Sequence, residues 1–487
     1  PGGQTQPGGV FFCAFSLHII YFHLAICYHE ANRIHKTEGV WMKTKLSFRE
    51  LLAVGSMLFG LFFGAGNLIF PASMGQLAGS QVLAASAGLL VTGVGLPLLG
   101  VAALGISRCD GLAALTRRVG DRYSLFFTCL LYLTIGPFFA IPRCATVPFE
   151  VGVAPALGGG GGQGALALFS LAFFAAVLWF SLRPGKILTW VGKVLNPLFL
   201  ICLAALLATA LLRPMGPLDA AAPEGTFAQS AFVGGFLEGY NTMDALAGLA
   251  FGIVVVNVIR GLDVTEPGAV AANTVAAGCL GCGLMGVIYL AVAVVGAQSR
   301  GLYPASSNGG EALLAIARHY FGGFGAVILA VTVTFACVKT AVGLITSCSQ
   351  TFCELFPRGP SYRTWAVGFC LFSFGAANFG LETILAWATP VLMFLYPLAI
   401  TLILLSLAGG LFGNDRRVYL CVTAFTLPAA VLDLLKALPA GAQAVLPLGG
   451  LLEAAGRWLP LYGLGLGWVC PALAGLAAGL VWRAAKR

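Results

Sequence analysis

Helix-breaking residues inside an apolar run of bilayer length constrain this chain more than any other feature. Residues 59–71 contain three glycines, an asparagine and a proline, namely Gly60, Gly64, Gly66, Asn67 and Pro71. Glycine and proline weaken a helix, and lipid cannot satisfy the peptide groups that a broken helix exposes. Such a break persists only where protein or a bound solute takes its hydrogen bonds. The segment therefore predicts an ion or solute site at membrane depth, which is typical of secondary transporters.

The composition indicates a membrane protein. Hydrophobic residues make up 59% of the chain and charged residues 9%, whereas soluble domains carry roughly 25% charged residues. The net charge of +9 resides in short loops between apolar runs, so no nucleic acid is predicted as a partner. The 14 cysteines are scattered through the apolar runs, where we expect packing rather than disulfides. Four of the 5 histidines fall in residues 1–41, which argues against a His-based catalytic or metal centre.

The apolar runs predict an all-α, polytopic membrane protein with about 12 transmembrane helices. We place the spans at 49–76, 82–106, 123–150, 164–182, 187–212, 230–259, 269–297, 322–352, 363–379, 383–408, 418–437 and 460–482. If the first span runs from inside to outside, the inside loops hold 18 Lys and Arg residues and the outside loops hold 5. The positive-inside rule then places both termini in the cytoplasm.

Residues 1–41 differ from the rest of the chain. Met42 followed by Lys43 reads as a natural start, so we expect 1–41 to be a non-native or disordered extension. An extra membrane helix at 10–28 is the alternative. The transporter domain is expected to be 42–487.

A second interrupted span predicts an internal repeat. The sixth span carries Gly and polar residues at 238–245 and runs in the direction opposite to the first span. Two broken helices that lie five spans apart in opposite directions indicate an inverted five-plus-five repeat. We expect the first repeat at 49–212 and the second at 230–408. Two accessory helices would follow at 418–482.

The ends of the broken helices predict which groups are bound. Unpaired carbonyls at the end of a half-helix suit a cation, and unpaired N–H groups at the start of the next suit a carboxylate. We assign the carbonyls of Gly60 and Phe63 to the cation. The N–H groups of Gly64, Ala65 and Gly66 are assigned to a substrate carboxylate, with Asn67 between the two sites. This arrangement predicts a zwitterionic amino acid with a co-transported cation; close helix packing is the alternative reason for the glycines.

Charges inside the membrane are costly and need a partner, water or a function. Those predicted inside spans are Arg143, Glu150, Glu238, Asp244 and Lys339. We expect Lys339 to pair with Asp244, either as a static pair or with its ammonium in the place of a coupling Na⁺.

The chain resembles the branched-chain amino acid:cation symporter family of bacteria, also called the LIVCS group of BrnQ-like carriers. The matching stretches lie at 58–71, 92–100, 134–143, 239–240 with 242–246, 251–254 with Asn257, and 339–344. The resemblance covers essentially residue 42 to the C-terminus, and residues 1–41 have no counterpart. Several long motifs in the same order make it far more specific than one glycine motif.

The resemblance implies uptake of leucine, isoleucine and valine across the inner membrane, driven by Na⁺ or H⁺ and without a cofactor. It also implies the leucine-transporter-type fold, in which the unwound first and sixth spans flank the substrate. In that fold the eighth span adds hydroxyls to a cation site, a role that falls by position to Ala336 and Thr340. Lys339 departs from this pattern, because a hydroxyl is expected there.

An aliphatic substrate needs an apolar pocket, which aromatic side chains near the breaks are available to line. The aromatic candidates are Phe62, Phe63, Phe138, Phe139 and Tyr240, and Thr242 is a polar candidate at the second break. Another neutral amino acid or amine on the same fold is the alternative cargo. A channel is disfavoured by the two unlike breaks in one chain, and an enzyme by the lack of paired catalytic groups. The oligomeric state is not predicted.

Overall fold

The computed structural model describes residues 43–107, 109, 111–157, 162–183, 196–445 and 449–485, and every regular element there is helical. The proposed extension at 1–41 lies outside the described residues. The helices of the first half are α1 (Phe48–Phe62), α2 (Gly66–Ala78), α3 (Val82–Leu90), α4 (Leu96–Ser107), α5 (Leu112–Thr116), α6 (Asp121–Leu133), α7 (Ala140–Pro148), α8 (Ala154–Ala156), α9 (Gln163–Ser181) and α10 (Asn196–Leu212).

The second half continues the helical array. Its helices are α11 (Thr226–Gln229), α12 (Ala231–Thr242), α13 (Asp244–Arg260), α14 (Pro267–Ser299), α15 (Gly309–Leu355), α16 (Tyr362–Ala377), α17 (Leu381–Leu407), α18 (Arg416–Ala437), α19 (Ala440–Val445), α20 (Gly449–Trp458) and α21 (Val469–Ala485). Three π-turns join helices into longer spans, at Val91–Gly95, Thr134–Phe138 and Phe149–Val153. Turns of 3₁₀ helix lie at Gly79–Gln81, Ala408–Phe412 and Tyr462–Leu464.

Each predicted span contains helix, although the spans differ in length and continuity. Within the described residues, 7 helical stretches are long and apolar enough to cross a membrane, or 8 when the bent pair α12–α13 counts as one. Three further predicted spans correspond to α10, α16 and α21, with 17, 16 and 17 residues. The first predicted span is divided at Phe63, and its second half, α2, forms one apolar helical stretch with α3 and α4 at Gly66–Ser107.

Two predicted boundaries were wrong. The eighth span was expected to begin at residue 322, but α15 already begins at Gly309 and is kinked at Gly322, where φ is 58°. Glycine adopts this backbone conformation without the clash that a Cβ would cause. The twelfth span was expected from residue 460, but α21 begins only at Val469, after the 3₁₀ turn.

The contacts between helices follow an inverted repeat. The first span (α1 and α2) packs against the seventh (α14), and the sixth span (α12 and α13) packs against the second (α3 and α4). An inverted repeat maps the first span onto the sixth and the second onto the seventh, so these two contacts are equivalent. The third and eighth spans also pack together through α7 and α15. Beside this core, α18 packs against α17 and α21.

Glycines bring these paired helices close together. A Cβ added to Gly75 in α2 would lie 2.0 Å from the Ala293 carbonyl oxygen in α14. In the equivalent contact, a Cβ on Gly235 in α12 would lie 1.8 Å from the Ala85 carbonyl oxygen in α3. Small residues let backbones approach in this way inside a bilayer. The broken spans are therefore held directly against continuous helices.

Large apolar side chains cover the outer faces of the helices. Leu168, Phe324 and Phe379 are each 71% exposed. A soluble protein would be prone to aggregate through such faces, whereas lipid tails solvate them. Together with the apolar helices, this surface identifies a multi-pass membrane protein.

Candidate functional site

The first break lies in the extended backbone between α1 and α2. α1 ends at Phe62, Phe63 has φ −73° and ψ 101°, and α2 begins at Gly66. The Gly64 N–H donates to the Asn67 Oδ1 at 2.9 Å. The predicted break is confirmed, but the Gly64 donor assigned to a substrate already has a protein partner. The other two N–H groups assigned to the substrate carboxylate, those of Ala65 and Gly66, lie at the start of α2.

The second break is confined to one residue. Met243 has φ 64° and ψ 10°, a left-handed conformation that separates α12 from α13, and the two helix axes are bent by 46°. Tyr240 and its neighbours, which were expected to be unwound, are still helical in α12. The Thr242 hydroxyl donates to the Gly239 carbonyl oxygen at 2.8 Å. The break therefore exposes peptide groups only at the junction of Thr242 and Asp244.

Asn67 joins the two breaks through its side-chain amide. Its Oδ1 accepts from Gly64, and its Nδ2 donates to Asp244 Oδ1 at 3.0 Å and Oδ2 at 2.9 Å. The Tyr289 hydroxyl of α14 also donates to Asp244 and accepts from Asn67. All three side chains are buried. Tyr289 was missed by the sequence analysis, because a lone tyrosine in an apolar span gives no local sign of its role.

The expected ion pair between Lys339 and Asp244 is not formed among the described residues. Asn67 and Tyr289 donate to the carboxylate, so neutral groups and not Lys339 are its hydrogen-bond partners here. The Lys339 ammonium instead lies 5.9 Å from the ring centroid of Phe59 and 5.6 Å from that of Phe199. Aromatic faces attract a cation at such distances.

Arg143 extends from α7 and contacts residues near both helix breaks. Its Nη1 donates at 2.8 Å to the carbonyl oxygen of Asn241, near the end of α12. A Cβ on Gly66 would lie only 2.7 Å from Nη2, so the guanidinium lies against the first residue of α2. A cation beside a helix N-terminus meets positive partial charge, and an anion bound there would stabilise both. Arg143 is an intramembrane charge in the sequence, and such charges are functional candidates by default, but no local pattern indicates its role.

The proposed cation residues meet where α15 packs against the first break. The Thr340 hydroxyl donates to the Phe63 carbonyl oxygen at 3.2 Å. A Cβ on Gly64 would lie 3.1 Å from the Thr340 methyl group, so α15 and the broken segment are in close contact. Gly60 and Ala336 each lie one turn earlier on their helices, and both are buried.

A cavity of about 30 Å³ lies between the breaks. That volume accommodates only about two water molecules, so an amino acid requires the site to widen. Eight of the predicted site residues line the cavity: Phe62, Gly64, Ala65, Gly66, Asn67, Thr242, Asp244 and Thr340. Its apolar wall includes Phe62 and Phe251, whose ring centroids are 6.3 Å apart.

Of the aromatic candidates, Phe62 lines this cavity within the described residues, whereas Phe63, Phe138, Phe139 and Tyr240 do not. Tyr240 stacks on Tyr396 of α17 with ring centroids 4.0 Å apart, and Phe138 packs against Phe372 of α16 at 5.2 Å. Within the described part of the chain, neither lines the cavity between the breaks. The side of a helix that faces a cavity depends on packing against its neighbours, and both rings are turned toward other helices.

Comparisons with solved structures support the fold. MhsT in complex with L-phenylalanine matches with a TM-score of 0.52 at 14% identity, over 82% of this chain and 100% of that one. Mhp1, a nucleobase-cation-symport-1 family transporter in a closed conformation with bromovinylhydantoin bound, matches with a TM-score of 0.54 at 16% identity, over 90% and 93%. At these identities the likeness concerns the fold alone, which is of the leucine-transporter type expected from the sequence.

Sequence relatives are much closer. A branched-chain amino acid permease BrnQ of Lactobacillus delbrueckii subsp. lactis is 54% identical, over 88% of this chain and 96% of the relative. A BrnQ permease of Bacillus subtilis (strain 168) is 41% identical, over 90% and 98%. The family model for branched-chain amino acid transport proteins matches residues 47–486. The chain therefore belongs to the family of branched-chain amino acid transport proteins, which are transporters and not enzymes.

Proposed function

We propose that this protein takes up leucine, isoleucine and valine across the bacterial cytoplasmic membrane by symport with Na⁺ or H⁺. The observation that carries the proposal is the meeting of two helix breaks at one buried cavity, joined by the Asn67 amide. Broken helices aimed at a common site are a feature of transporters that bind solute and ion together. The proposal includes cytoplasmic termini and repeats at 49–212 and 230–408, with 418–482 accessory.

The substrate carboxylate is placed between the start of α2 and Arg143. The N–H groups of Ala65 and Gly66 point out of the helix start, and the guanidinium lies against Gly66. Arg143 uses Nη1 on the Asn241 carbonyl, and its planar group has further donors for a carboxylate. A helix N-terminus and a guanidinium together supply the donors and the positive charge that a carboxylate needs.

The substrate ammonium is placed near Asp244, the acidic residue of the cavity lining. The coupling cation is placed at the Phe63 carbonyl and the Thr340 hydroxyl, with Gly60, Ala336 and Lys339 as neighbours. Neutral oxygens suit Na⁺, whereas a proton would be carried by a side chain such as Asp244. Both driving ions therefore remain part of the proposal.

The aliphatic side chain of the substrate is placed against Phe62 and Phe251. Burying one methylene contributes about 0.8 kcal/mol, which is about a fourfold difference in affinity. Leucine, isoleucine and valine differ by one methylene or by branching alone. Overlapping recognition of the three is therefore expected, and a competition panel of neutral amino acids and amines tests the alternative cargo.

Uptake of radiolabelled leucine into proteoliposomes tests the proposal. Inward gradients of Na⁺ and of H⁺ are imposed separately, and each is collapsed with a matching ionophore as the control. We expect accumulation above equilibrium with at least one gradient and loss of accumulation with its ionophore. Equilibration of leucine that neither gradient alters would contradict symport, and a lack of leucine entry would contradict the substrate assignment.

A further inference from the structure

Asp433 is a buried carboxylate on α18, outside the site described above. The residue is 4% exposed, and neither carboxylate oxygen accepts a hydrogen bond from any described group. A buried carboxylate without partners is costly, so such a group is retained where a ligand or a proton completes it. Asp433 therefore marks a place where a cationic group or a proton is expected to bind.

Asp433 lines a cavity of about 200 Å³ near the end of α18 that is predicted to face outside. The cavity lies between α12, α17, α18 and the segment that precedes α21. Thr226 and Gln229, two polar residues of its lining, are exposed, so solutes have access from the surface. A cavity of roughly 150 Å³ is large enough for benzene, so this one has room for a small amino acid.

Lys436 places a positive charge one turn beyond Asp433 on the same side of α18. Its Nζ donates to the carbonyl oxygens of Tyr462 at 2.9 Å and Gly463 at 3.2 Å, and not to Asp433. These bonds fix the ammonium at the cavity lining, and one of its donors remains for a ligand. The cavity thus presents a carboxyl group and an ammonium group that are not hydrogen-bonded to each other.

The remaining wall is largely apolar. Val233 and Leu237 of α12, Met393 of α17 and Leu464 of the segment before α21 line it. Such walls suit an aliphatic body, and they offer few of the oxygen ligands that a bare metal cation prefers. Charge of both signs beside an aliphatic surface is complementary to an aliphatic zwitterion.

We propose that this outer cavity is a second binding site for a small zwitterion that carries a primary ammonium, of the class of the transported amino acids. The ammonium binds Asp433, the anionic group binds Lys436, and the aliphatic part contacts Val233, Leu237 and Met393. The choice of amino acid rests on the proposed function. A phosphatidylethanolamine headgroup has the same pair of charges, so the experiment separates a free amino acid from a lipid.

The outer cavity is connected to the second break through α12. The Tyr240 hydroxyl and the Trp468 indole N–H are also buried. Asp433 and Trp468 are neighbours of Tyr240, which lies on α12 just before Thr242. A ligand in the outer cavity therefore binds next to the helix that ends at the central site.

Equilibrium binding of radiolabelled leucine to the full chain in nanodiscs tests the second site. The nanodiscs contain phosphatidylcholine and phosphatidylglycerol, with or without phosphatidylethanolamine, and leucine is titrated to millimolar concentration. We expect two leucines per chain in discs without phosphatidylethanolamine. Asp433→Asn is expected to weaken the second binding event by at least about tenfold, because a charged hydrogen bond is lost. Glu453→Gln, which alters an exposed acid on α20, is the matched control.

The outcomes separate the two proposals. If the ligand is the lipid, wild-type protein retains phosphatidylethanolamine through purification and Asp433→Asn does not, which supports the ammonium site and assigns it to lipid. A single leucine per chain, with neither leucine binding nor lipid retention altered by Asp433→Asn, would overturn the outer site and leave the proposed function intact. No leucine binding to any variant would contradict the proposed function itself. Thermal unfolding of Asp433→Asn in nanodiscs establishes that it is folded.

Discussion

Replacement of Arg143 by glutamine tests the proposed carboxylate site. Glutamine keeps a polar side chain but removes the positive charge and the guanidinium that lies against Gly66. It also removes the 2.8 Å hydrogen bond to the Asn241 carbonyl. A hydrogen bond to a charged group contributes about 1.5–3 kcal/mol. If Arg143 contributes that energy to binding of the substrate carboxylate, its loss in Arg143→Gln raises the KM for leucine about 10- to 150-fold.

The assay is initial-rate leucine uptake in proteoliposomes, with the amount of reconstituted protein measured in each sample. Arg318→Gln, which removes an exposed arginine from α15, serves as the matched control and is expected to leave KM unchanged. Arg143→Lys keeps the charge without the planar fork and is expected to give an intermediate KM. A KM for Arg143→Gln within twofold of wild type, in protein that unfolds at the wild-type temperature, would refute the assignment of Arg143 to the carboxylate.

Three further substitutions follow from the same geometry. Gly66→Ala places a Cβ 2.7 Å from Arg143 Nη2, so the guanidinium must shift; we expect weaker leucine binding with little change in unfolding temperature. Asp244→Asn keeps the shape but removes the charge next to Tyr289; we expect the KM for leucine to rise and concentrative uptake to fall, and unchanged KM and accumulation would exclude Asp244 from both ammonium binding and coupling. Gly75→Ala places a Cβ 2.0 Å from backbone of α14, which cannot yield as a side chain does; we expect a lower unfolding temperature, and wild-type stability would contradict this packing.

The sequence is sufficient to predict the breaks, because their causes are local. The glycines and Asn67 near the first break and the Gly and polar residues near the second weaken a helix wherever they stand. The apolar runs likewise predict the spans, since bilayer thickness sets their length. The family resemblance predicts the leucine-transporter-type fold. None of these inferences requires knowledge of which side chains meet.

The side-chain partners could not be predicted in the same way. Phe138 lies in the π-turn at Thr134–Phe138, and Arg143 follows that turn. A π-turn inserts one residue, which rotates later side chains by about 100° relative to a regular helix. Helical periodicity in the sequence does not reveal that rotation. Gly136, with φ −97° and ψ −125°, bends the span further.

The partners of Asp244 could not be predicted either, because they lie on two other helices, α2 and α14. Asn67 and Tyr289 cover the carboxylate from α2 and α14, and the packing of α2 against α14 places both donors there. Lys339 has the complementary charge, but its side chain is directed toward aromatic rings. A pairing inferred from opposite charge alone is therefore unreliable inside a membrane bundle.

An experimental map of the leucine-bound protein in nanodiscs tests the central claim most directly. We expect density for leucine between the Phe63–Gly66 segment and Met243, with its carboxylate at the N–H groups of Ala65 and Gly66 and near Arg143. Leucine at another location, or unbroken α-helix through both Phe63–Ala65 and Met243, would contradict the claim that two opposed helix breaks form the transport site.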